Sequence, residues 1–267
     1  MPYVENQGAR IYWEKYGEGS DLLLVQGLGY SSEMWHRTIP VLARRHRVIA
    51  FDNRGVGRSD VPSGPYPIRL MASDAAAVLE AARAATAHVF GISMGGYIAQ
   101  ELALTAPDRV RSLVLGCTGC GGPEAVLAEQ EVLDKLTARA SMKAEEGIRL
   151  MIPYIYNPGT PQERIDEDLA IRLRTFPSAD GYLAQLQGIT GWESCGRLNQ
   201  LRVPVLVIHG ELDRLVPPAN GRRLAREIPG ARLLMLPEAS HLFFTDQPEA
   251  AHGAVLDFLA EVDQAAA

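Results

Sequence analysis

Short apolar segments that alternate with longer helical patterns most constrain what this 267-residue chain can fold into. Each segment is nearly continuous in leucine and β-branched residues, which is typical of strands covered on both faces of a sheet. The segments predicted as buried strands are residues 22–26, 48–51, 88–92, 112–116, 205–209 and 233–236. Because strands and helices alternate along the chain, the pattern predicts a mostly parallel sheet wrapped on both faces.

Helical patterns fill the intervals between these strands, and the first residues follow a different pattern. Helices are predicted over residues 33–44, 68–84, 94–105, 219–227 and 248–262. Residues 4–6 and 10–16 alternate apolar with polar side chains, which predicts an antiparallel hairpin at the edge of the sheet. The predicted fold is therefore α/β, with eight strands in one sheet.

One segment interrupts the alternation of strands and helices. Residues 120–195 show helical patterns without a convincing strand, and a Gly-rich stretch at 119–123 opens the segment. We therefore predict a core built from residues 1–119 and 196–267, with residues 120–195 forming a helical cap over one end of the sheet.

Charge, hydropathy and cysteine content exclude several classes of protein. The chain has 26 Lys and Arg against 32 Asp and Glu, a formal net charge of −6, so we expect no nucleic-acid partner and no membrane partner. No apolar stretch reaches the roughly 18 residues that span a bilayer, and no secretory signal is visible. Three cysteines, Cys117, Cys120 and Cys195, are too few and odd in number for a disulfide framework. A cytoplasmic location is therefore expected.

The strongest chemical signal is the run Gly-Ile-Ser-Met-Gly-Gly at residues 91–96. It follows a predicted strand and opens a predicted helix, the context in which a G-x-S-x-G motif presents its serine as a nucleophile. Gly91 and Gly95 leave room for a sharp turn around Ser93, and the helix N-terminus favours negative charge developing there. A Gly-rich turn that only packs tightly is the structural alternative. We interpret Ser93 as a nucleophile.

A serine nucleophile needs a base, and the base needs an acid that orients it. Of the six histidines, His241 follows the last predicted strand, at the sheet edge where Ser93 emerges, whereas the other five are most simply structural or solvated. Asp213 follows the preceding strand, and the chain order Ser93, Asp213, His241 is typical of G-x-S-x-G enzymes on such a sheet. Glu211 is the rival acid, but the G-x-x-D spacing from Gly210 favours Asp213.

Four segments together resemble the α/β-hydrolase superfamily almost from end to end of the chain. They are QGLGYSSEMW at 26–35, FDNRGVGRSD at 51–60, GISMGG at 91–96, and the tail from GELDRLVPP at 210–218 through EASHLFFTDQP at 238–248. Within the superfamily the chain is similar to bacterial esterases and lactonases, including 3-oxoadipate enol-lactonase-like proteins. The resemblance implies an α/β-hydrolase fold with a helical cap and a Ser-His-Asp triad.

The resemblance also implies an oxyanion hole made by two backbone N–H groups. One belongs to Met94, directly after the nucleophile, and the other to Leu28 in the loop after the third strand. Many relatives carry His-Gly where this chain has Gln26-Gly27. Because an amide does not titrate, we interpret Gln26 as an anchor of this loop and not as an acid or base.

Apolar side chains of the cap and of the site loops predict the kind of substrate. The residues expected to contact it are Gly27, Tyr30, Trp192, Leu215, Val216 and Leu242. No Arg or Lys is assured of facing the nucleophile, with Arg214 beside Asp213 as the candidate exception. An apolar pocket penalises a carboxylate, which would lose its hydration without gaining a partner. We therefore expect a short-to-medium, uncharged ester or lactone.

These observations predict a cofactor-independent hydrolase that cleaves a carboxylic ester or lactone through an acyl-enzyme on Ser93. No metal is expected, because Cys117-x-x-Cys120 lacks a second pair of zinc ligands. Serine-dependent C–C hydrolases, thioesterases and perhydrolases remain alternatives, as does a small-molecule receptor or signalling protein with little turnover. The expected partner is a small-molecule substrate, and a homodimer is left open.

Overall fold

The computed structural model describes residues 2–266, and the strands in that range form one eight-stranded sheet with the order β1-β2-β4-β3-β5-β6-β7-β8. The strands are β1 (Tyr3–Asn6), β2 (Ala9–Tyr16), β3 (Ser20–Val25), β4 (His46–Phe51), β5 (Ala87–Ile92), β6 (Val110–Gly116), β7 (Val205–Gly210) and β8 (Arg232–Leu236). β1 and β2 pair antiparallel, β2 and β4 pair antiparallel, and the other neighbours are parallel. The predicted α/β class and edge hairpin are confirmed.

Helices connect the strands and also fill the segment between β6 and β7. They are α1 (Ile39–Leu42), α2 (Ile68–Ala81), α3 (Met94–Thr105), α4 (Gln130–Ala138), α5 (Ala144–Ile155), α6 (Gln162–Arg174), α7 (Ala179–Thr190), α8 (Ala219–Glu227), α9 (Phe243–Asp246) and α10 (Pro248–Ala266). None of the helices within residues 2–266 combines the length and apolar character needed to cross a membrane.

The alternating side chains of the central strands bury two separate apolar clusters. Along β3, Leu23 and Val25 join the cluster that α2, α3 and α8 cover, whereas Leu22 and Leu24 join the one that α1 and α10 cover. Successive residues of a strand point to opposite faces, so a run of leucines is explained by helices on both sides. This packing holds β5 in the middle of the sheet, and the residues after β5 emerge at its carboxyl edge.

Two elements differ from their predictions. Residues 33–44 do not form one helix but a 3₁₀ helix (Ser32–Trp35) followed by α1, because Pro40 has no N–H to continue a helical hydrogen-bond series. The last strand, β8, is not buried on both faces: it pairs only with β7, and Leu233 is 39% exposed. Because β8 lies at the edge of the sheet, it is less covered than a central strand. An apolar sequence does not show whether a strand is central or at an edge.

Between residues 120 and 195 the structure has α4 to α7 and a single isolated β-bridge, between Gly121 and Glu193. A disulfide between Cys120 and Cys195 joins the two ends of this segment. The cysteine count argued against a disulfide framework, and a single bridge is not a framework. The count does not show that two cysteines far apart in sequence lie at the neck of one insertion, where one bridge can form.

Candidate active site

Ser93 occupies the turn between β5 and α3 with a backbone conformation that few side chains adopt. Its φ is 53° and its ψ is −123°, and a non-glycine residue at positive φ carries strain that the surrounding structure must offset. The Ser93 N–H donates to the Gly116 carbonyl at 2.9 Å, which fixes the turn to β6. The strained turn holds the side chain at the carboxyl edge of the sheet.

Glycines on both sides of Ser93 are required by close backbone approach. A Cβ on Gly91 would collide with the carbonyl oxygen of Gly95, and a Cβ on Gly95 would collide with the carbonyl oxygen of Val25. Larger residues would push α3 away from β3 and β5. The glycine spacing of the motif is therefore explained by the packing of helix against sheet.

Asp213 and His241 come together from the loops after β7 and β8. Nδ1 of His241 lies 2.8 Å from Oδ2 of Asp213, and both residues are buried. The N–H groups of Leu215 and Val216 donate to Oδ1 of Asp213 at 2.9 and 2.8 Å. Both carboxylate oxygens are therefore engaged, and the ring nitrogen left to act on a substrate is Nε2 of His241.

Glu211, the alternative acid, lies away from His241. Glu211 is exposed, and its carboxylate lies 3.6 Å from the guanidinium of Arg222. The structure thus places Asp213, and not Glu211, against His241.

The electrostatics of Asp213 favour a permanent negative charge. Burial alone would raise the pKa of its carboxyl, but the charge of His241 and the hydrogen bonds from His209 and His241 outweigh burial. The pKa of Asp213 is therefore held well below its ordinary value. An ionised acid at this position keeps the proton of His241 on Nδ1 and can stabilise an imidazolium.

Ser93 and His241 line the same cavity, which has a volume of about 470 Å³. Three of the six predicted substrate contacts also line it: Tyr30, Leu215 and Val216. Within residues 2–266 the Ser93 hydroxyl has no direct hydrogen bond to the imidazole, and such bonds often tighten only once substrate binds. A cavity of this size suits a small organic molecule.

Three other predicted substrate contacts do not line this cavity. Trp192 instead stacks on Tyr97 at 4.7 Å, and its Nε1 donates to Glu101 at 2.9 Å. Leu242 is buried in the core, and its N–H donates to the carbonyl of Ile155. Gly27 lies directly behind the nucleophile, where an added Cβ would stand 3.1 Å from that of Ser93.

The two backbone donors proposed for an oxyanion border the cavity beside Ser93. Leu28 and Met94 both line it. In the described part of the chain neither N–H has a protein acceptor, whereas the neighbouring N–H groups of Gly27 and Gly29 are both hydrogen-bonded. Two free donors beside a serine are what an oxyanion hole requires.

Two amide side chains hold the loop that carries Leu28. Gln26 was expected to do so, whereas the sequence did not reveal Gln185. Oε1 of Gln26 accepts from the Gly27 N–H at 3.2 Å, which agrees with an anchoring role. Gln185, on α7, accepts from the Gly29 N–H at 2.9 Å and donates to the Arg54 carbonyl at 2.8 Å. No local motif marks Gln185, since its role depends on the contact between the cap segment and this loop.

The placement of Ser93, Asp213 and His241 after parallel strands is typical of the α/β-hydrolase fold. The comparisons with known proteins agree. A family model described as "alpha/beta hydrolase fold" matches residues 22–143 and 167–248. The chain belongs to the α/β-hydrolase fold family. The resemblance and the fold inferred from sequence are thereby confirmed.

Similar proteins are named as hydrolases. The Azorhizobium caulinodans protein named "Putative carbamate hydrolase RutD" is 35% identical, over 99% of this chain and 100% of that relative. The enol-lactonase of Burkholderia xenovorans LB400 has a TM-score of 0.86 at 28% identity, over 97% of this chain and 100% of its own. An esterase from Thermogutta terrifontis has a TM-score of 0.83 at 28% identity, over 98% and 97%. These relatives support hydrolysis as the type of reaction.

The cavity of this α/β-hydrolase contains one charged residue, Arg139, that the sequence did not reveal. Arg139, from the cap segment, lines the cavity together with Ser93 and is only 4% exposed. The candidate exception, Arg214, is exposed and pairs with Glu129 at 2.7 Å instead. The expectation of an uncharged substrate assumed a cavity without Arg or Lys, and that assumption is wrong. Arg139 opens the 3₁₀ turn after α4 and is buried there, which the local sequence does not show.

A group of possible metal ligands lies behind the acid. Cys117, His209 and Asp213 each bring one ligand atom within 4.8 Å of the others. Burial raises the pKa of the Cys117 thiol well above its ordinary value, so the thiol stays protonated and is a poor ligand. The Asp213 oxygens are already engaged by N–H donors. The group is therefore better described as support for the acid than as a metal site.

Proposed function

We propose that this protein is a serine hydrolase that cleaves carboxylic esters or lactones through an acyl-enzyme on Ser93. The observation that carries the proposal is that Ser93 and His241 line one cavity, with Nδ1 of His241 held by Asp213. A serine on a strained turn, a histidine in a fixed tautomer and a buried acid are the parts that acyl transfer needs.

In the first half of the reaction, Oγ of Ser93 attacks the carbonyl carbon of the substrate while Nε2 of His241 takes the hydroxyl proton. The carbonyl oxygen becomes an oxyanion that the N–H groups of Leu28 and Met94 bind. Each donor of this kind contributes about 3 kcal/mol to lowering the barrier. The tetrahedral intermediate then collapses, the bond to the leaving oxygen breaks, and His241 gives its proton to that oxygen.

In the second half, water repeats the attack on the acyl-enzyme. His241 takes a proton from water, the oxyanion forms again between Leu28 and Met94, and the bond to Ser93 breaks with return of the proton to Oγ. The products are a carboxylic acid and an alcohol, or a single hydroxy acid from a lactone. Asp213 stays ionised throughout and stabilises the imidazolium formed in each half.

The size of the cavity favours a substrate larger than a carbamate ion, although one relative is named for carbamate hydrolysis. About 470 Å³ of space, bordered mainly by aliphatic and aromatic side chains, suits an organic acyl or alcohol group. The enol-lactonase and the esterase among the structural relatives are named for such carbonyl substrates.

A panel of p-nitrophenyl esters and lactones tests the proposal. The wild-type protein is expected to turn over at least one of them many times, and Ser93→Ala is expected to lower kcat by about 10⁴–10⁶. Ser63→Ala, at an exposed loop serine, is the matched control. More than a few per cent of wild-type activity in Ser93→Ala would overturn the assignment of the nucleophile.

The same panel distinguishes an enzyme from a receptor. A receptor with little turnover would release at most about one equivalent of nitrophenol per protein and then stop. Linear release over many equivalents, abolished in Ser93→Ala, is the result that we expect of a hydrolase.

A further inference from the structure

Arg139 is an unusual residue to find in the wall of an apolar cavity. It opens the 3₁₀ helix Arg139–Ser141, directly after α4, and is 96% shielded from solvent, since only 4% of its surface is exposed. Of the residues that line the cavity in the described chain, Arg139 is the only Arg, Lys, Asp or Glu. The cavity that contains Ser93 therefore carries a fixed positive charge.

The guanidinium of Arg139 has aromatic neighbours but no acid. Its central carbon lies 5.8 Å from the ring centre of Tyr30, 5.5 Å from that of Phe176 and 5.0 Å from that of Tyr182. Its Nε is buried without a hydrogen-bond partner. Among residues 2–266 no carboxylate lies within 4.0 Å of it, whereas most buried charges in proteins are paired.

A second guanidinium increases the positive potential here. Arg172 is 2% exposed, its central carbon lies 5.2 Å from the ring centre of Tyr30, and none of its three nitrogens has a hydrogen-bond partner in the described chain. Burial lowers the pKa of Arg139, Tyr182 and Tyr30 offset this in part, and the charge of Arg172 lowers the pKa further. An anion beside Arg139 would favour its charged form.

Aromatic rings compensate a guanidinium only in part. The face of a ring attracts a cation, but it accepts hydrogen bonds less strongly than a carboxylate does. A carboxylate can accept two parallel N–H bonds from Arg, which is the geometry that this side chain binds most strongly. Arg139 lines the cavity without a carboxylate partner in the described chain and therefore fits a carboxylate supplied by a ligand there.

We propose that Arg139 is a specificity-determining residue that binds a carboxylate of the substrate, so that the preferred substrate is an anionic ester or lactone. This inference rests on the proposed function, because the substrate is the one that Ser93 attacks. It reverses the expectation of an uncharged substrate, which assumed a cavity without Arg or Lys. The carboxylate belongs to the part of the molecule away from the scissile bond, either on the acyl side or on the alcohol side.

Two pairs of probes, each a carboxylate and its neutral methyl ester, test the proposal. Mono-p-nitrophenyl glutarate and its methyl ester place a carboxylate, or a neutral ester one methyl group longer, on the acyl side. Butyrate esters of 4-hydroxybenzoic acid and of its methyl ester do the same on the alcohol side. In at least one pair, kcat/KM of the wild-type protein is expected to be tenfold or more higher for the anion, which corresponds to about 1.4 kcal/mol.

The role of Arg139 is read from the ratio of kcat/KM values within that pair. Arg139→Gln is expected to lower the ratio at least tenfold, and Arg139→Lys, which keeps the charge but not the planar donors, to lower it less. Arg149→Gln, at an exposed arginine of α5 that pairs with Glu145, is the matched control and is expected to leave the ratio within twofold. Equal values for anion and neutral ester in both pairs, or a preference that survives Arg139→Gln, would overturn the proposal.

Binding without turnover separates this proposal from the proposed function. In the Ser93→Ala protein, calorimetric titration with glutarate is expected to show binding that an added Arg139→Gln weakens at least tenfold. If the protein hydrolyses no ester but binds glutarate through Arg139, the hydrolase proposal fails and the carboxylate site stands. If neutral esters are hydrolysed and glutarate binding does not depend on Arg139, the hydrolase proposal stands and the carboxylate site fails.

Discussion

His209, at the end of β7, lies 3.4 Å from Asp213, measured from Nε2 to the same Oδ2 that faces His241. Nε2 also lies 2.8 Å from the Val216 carbonyl oxygen, so it carries the proton and acts as a donor. His209 is completely buried, and its Nδ1 has no partner in the described part of the chain. His209 thus lies against the same carboxylate oxygen as the reacting imidazole.

Replacing His209 tests whether this contact positions Asp213. His209→Phe fills the same space without the donor, and we expect kcat to fall about tenfold with little change in KM. His209→Gln, which keeps a side-chain N–H, should recover part of this loss. A lowered Tm with an unchanged kcat in His209→Phe would mean that His209 is only structural.

Asp213→Asn is expected to lower kcat by about 10⁴, because an amide can favour the wrong tautomer of His241 and cannot stabilise an imidazolium. Glu211→Gln is the control two residues away, and its activity should stay within twofold of wild type, since Glu211 is exposed. Steady-state kinetics on one p-nitrophenyl ester compares the two variants. A larger loss in Glu211→Gln than in Asp213→Asn would reverse the assignment.

Gln185→Ala removes the acceptor of the Gly29 N–H and loosens the loop that carries Leu28. Complete loss of an oxyanion donor costs about 10²–10³ in kcat, and loosening one is expected to cost about tenfold. Gln187→Ala, at an exposed position of the same helix, is the matched control and should leave kcat unchanged. Equal effects of the two substitutions would show that Gln185 does not act through the loop.

The disulfide between Cys120 and Cys195 closes a loop of 75 residues. A loop of that length contributes about 4 kcal/mol in the chain-entropy model, so Cys195→Ser is expected to lower Tm by about 10 °C. Dithiothreitol should lower Tm of the wild-type protein similarly and leave that of Cys195→Ser unchanged. A Tm that is the same with and without reductant in the wild-type protein would contradict this contribution.

The core elements could be predicted because their signals are local. β5, the turn at Ser93 and α3 are adjacent in sequence, and the glycines of the turn report backbone contacts that any chain folded this way must make. Asp213 and His241 are distant from Ser93 in sequence, but each follows a parallel strand, and parallel strands end at one edge of the sheet. The structure therefore brings together the three residues that chain order had grouped.

The residues that sequence did not reveal depend on how the cap segment lies on the core. Arg139 follows a helix with no unusual sequence pattern, and its guanidinium packs against Tyr30 and Tyr182, which are distant from it in sequence. Trp192 was assigned to the cavity for its aromatic character, but a ring stack and a hydrogen bond to Glu101 hold it elsewhere. Composition predicts that a pocket exists, whereas the orientation of each side chain is decided by long-range contacts.

Protonation of His252 is expected to destabilise the protein in mild acid. His252 is buried, with Nε2 3.0 Å from the Thr38 hydroxyl, and burial lowers its pKa to about 4. The unfolded chain binds this proton below about pH 6.5, and the folded protein binds it only near pH 4. As pH drops from 6.5 to 4, protonation of His252 therefore lowers the free energy of unfolding by up to about 3 kcal/mol. Above pH 7, His252 contributes no pH dependence to this free energy.

Urea unfolding at several pH values measures how the free energy of unfolding changes with pH, and His252→Gln should reduce this change. An equal slope in the variant, or an imidazole that titrates above pH 6 in NMR spectra, would contradict the prediction.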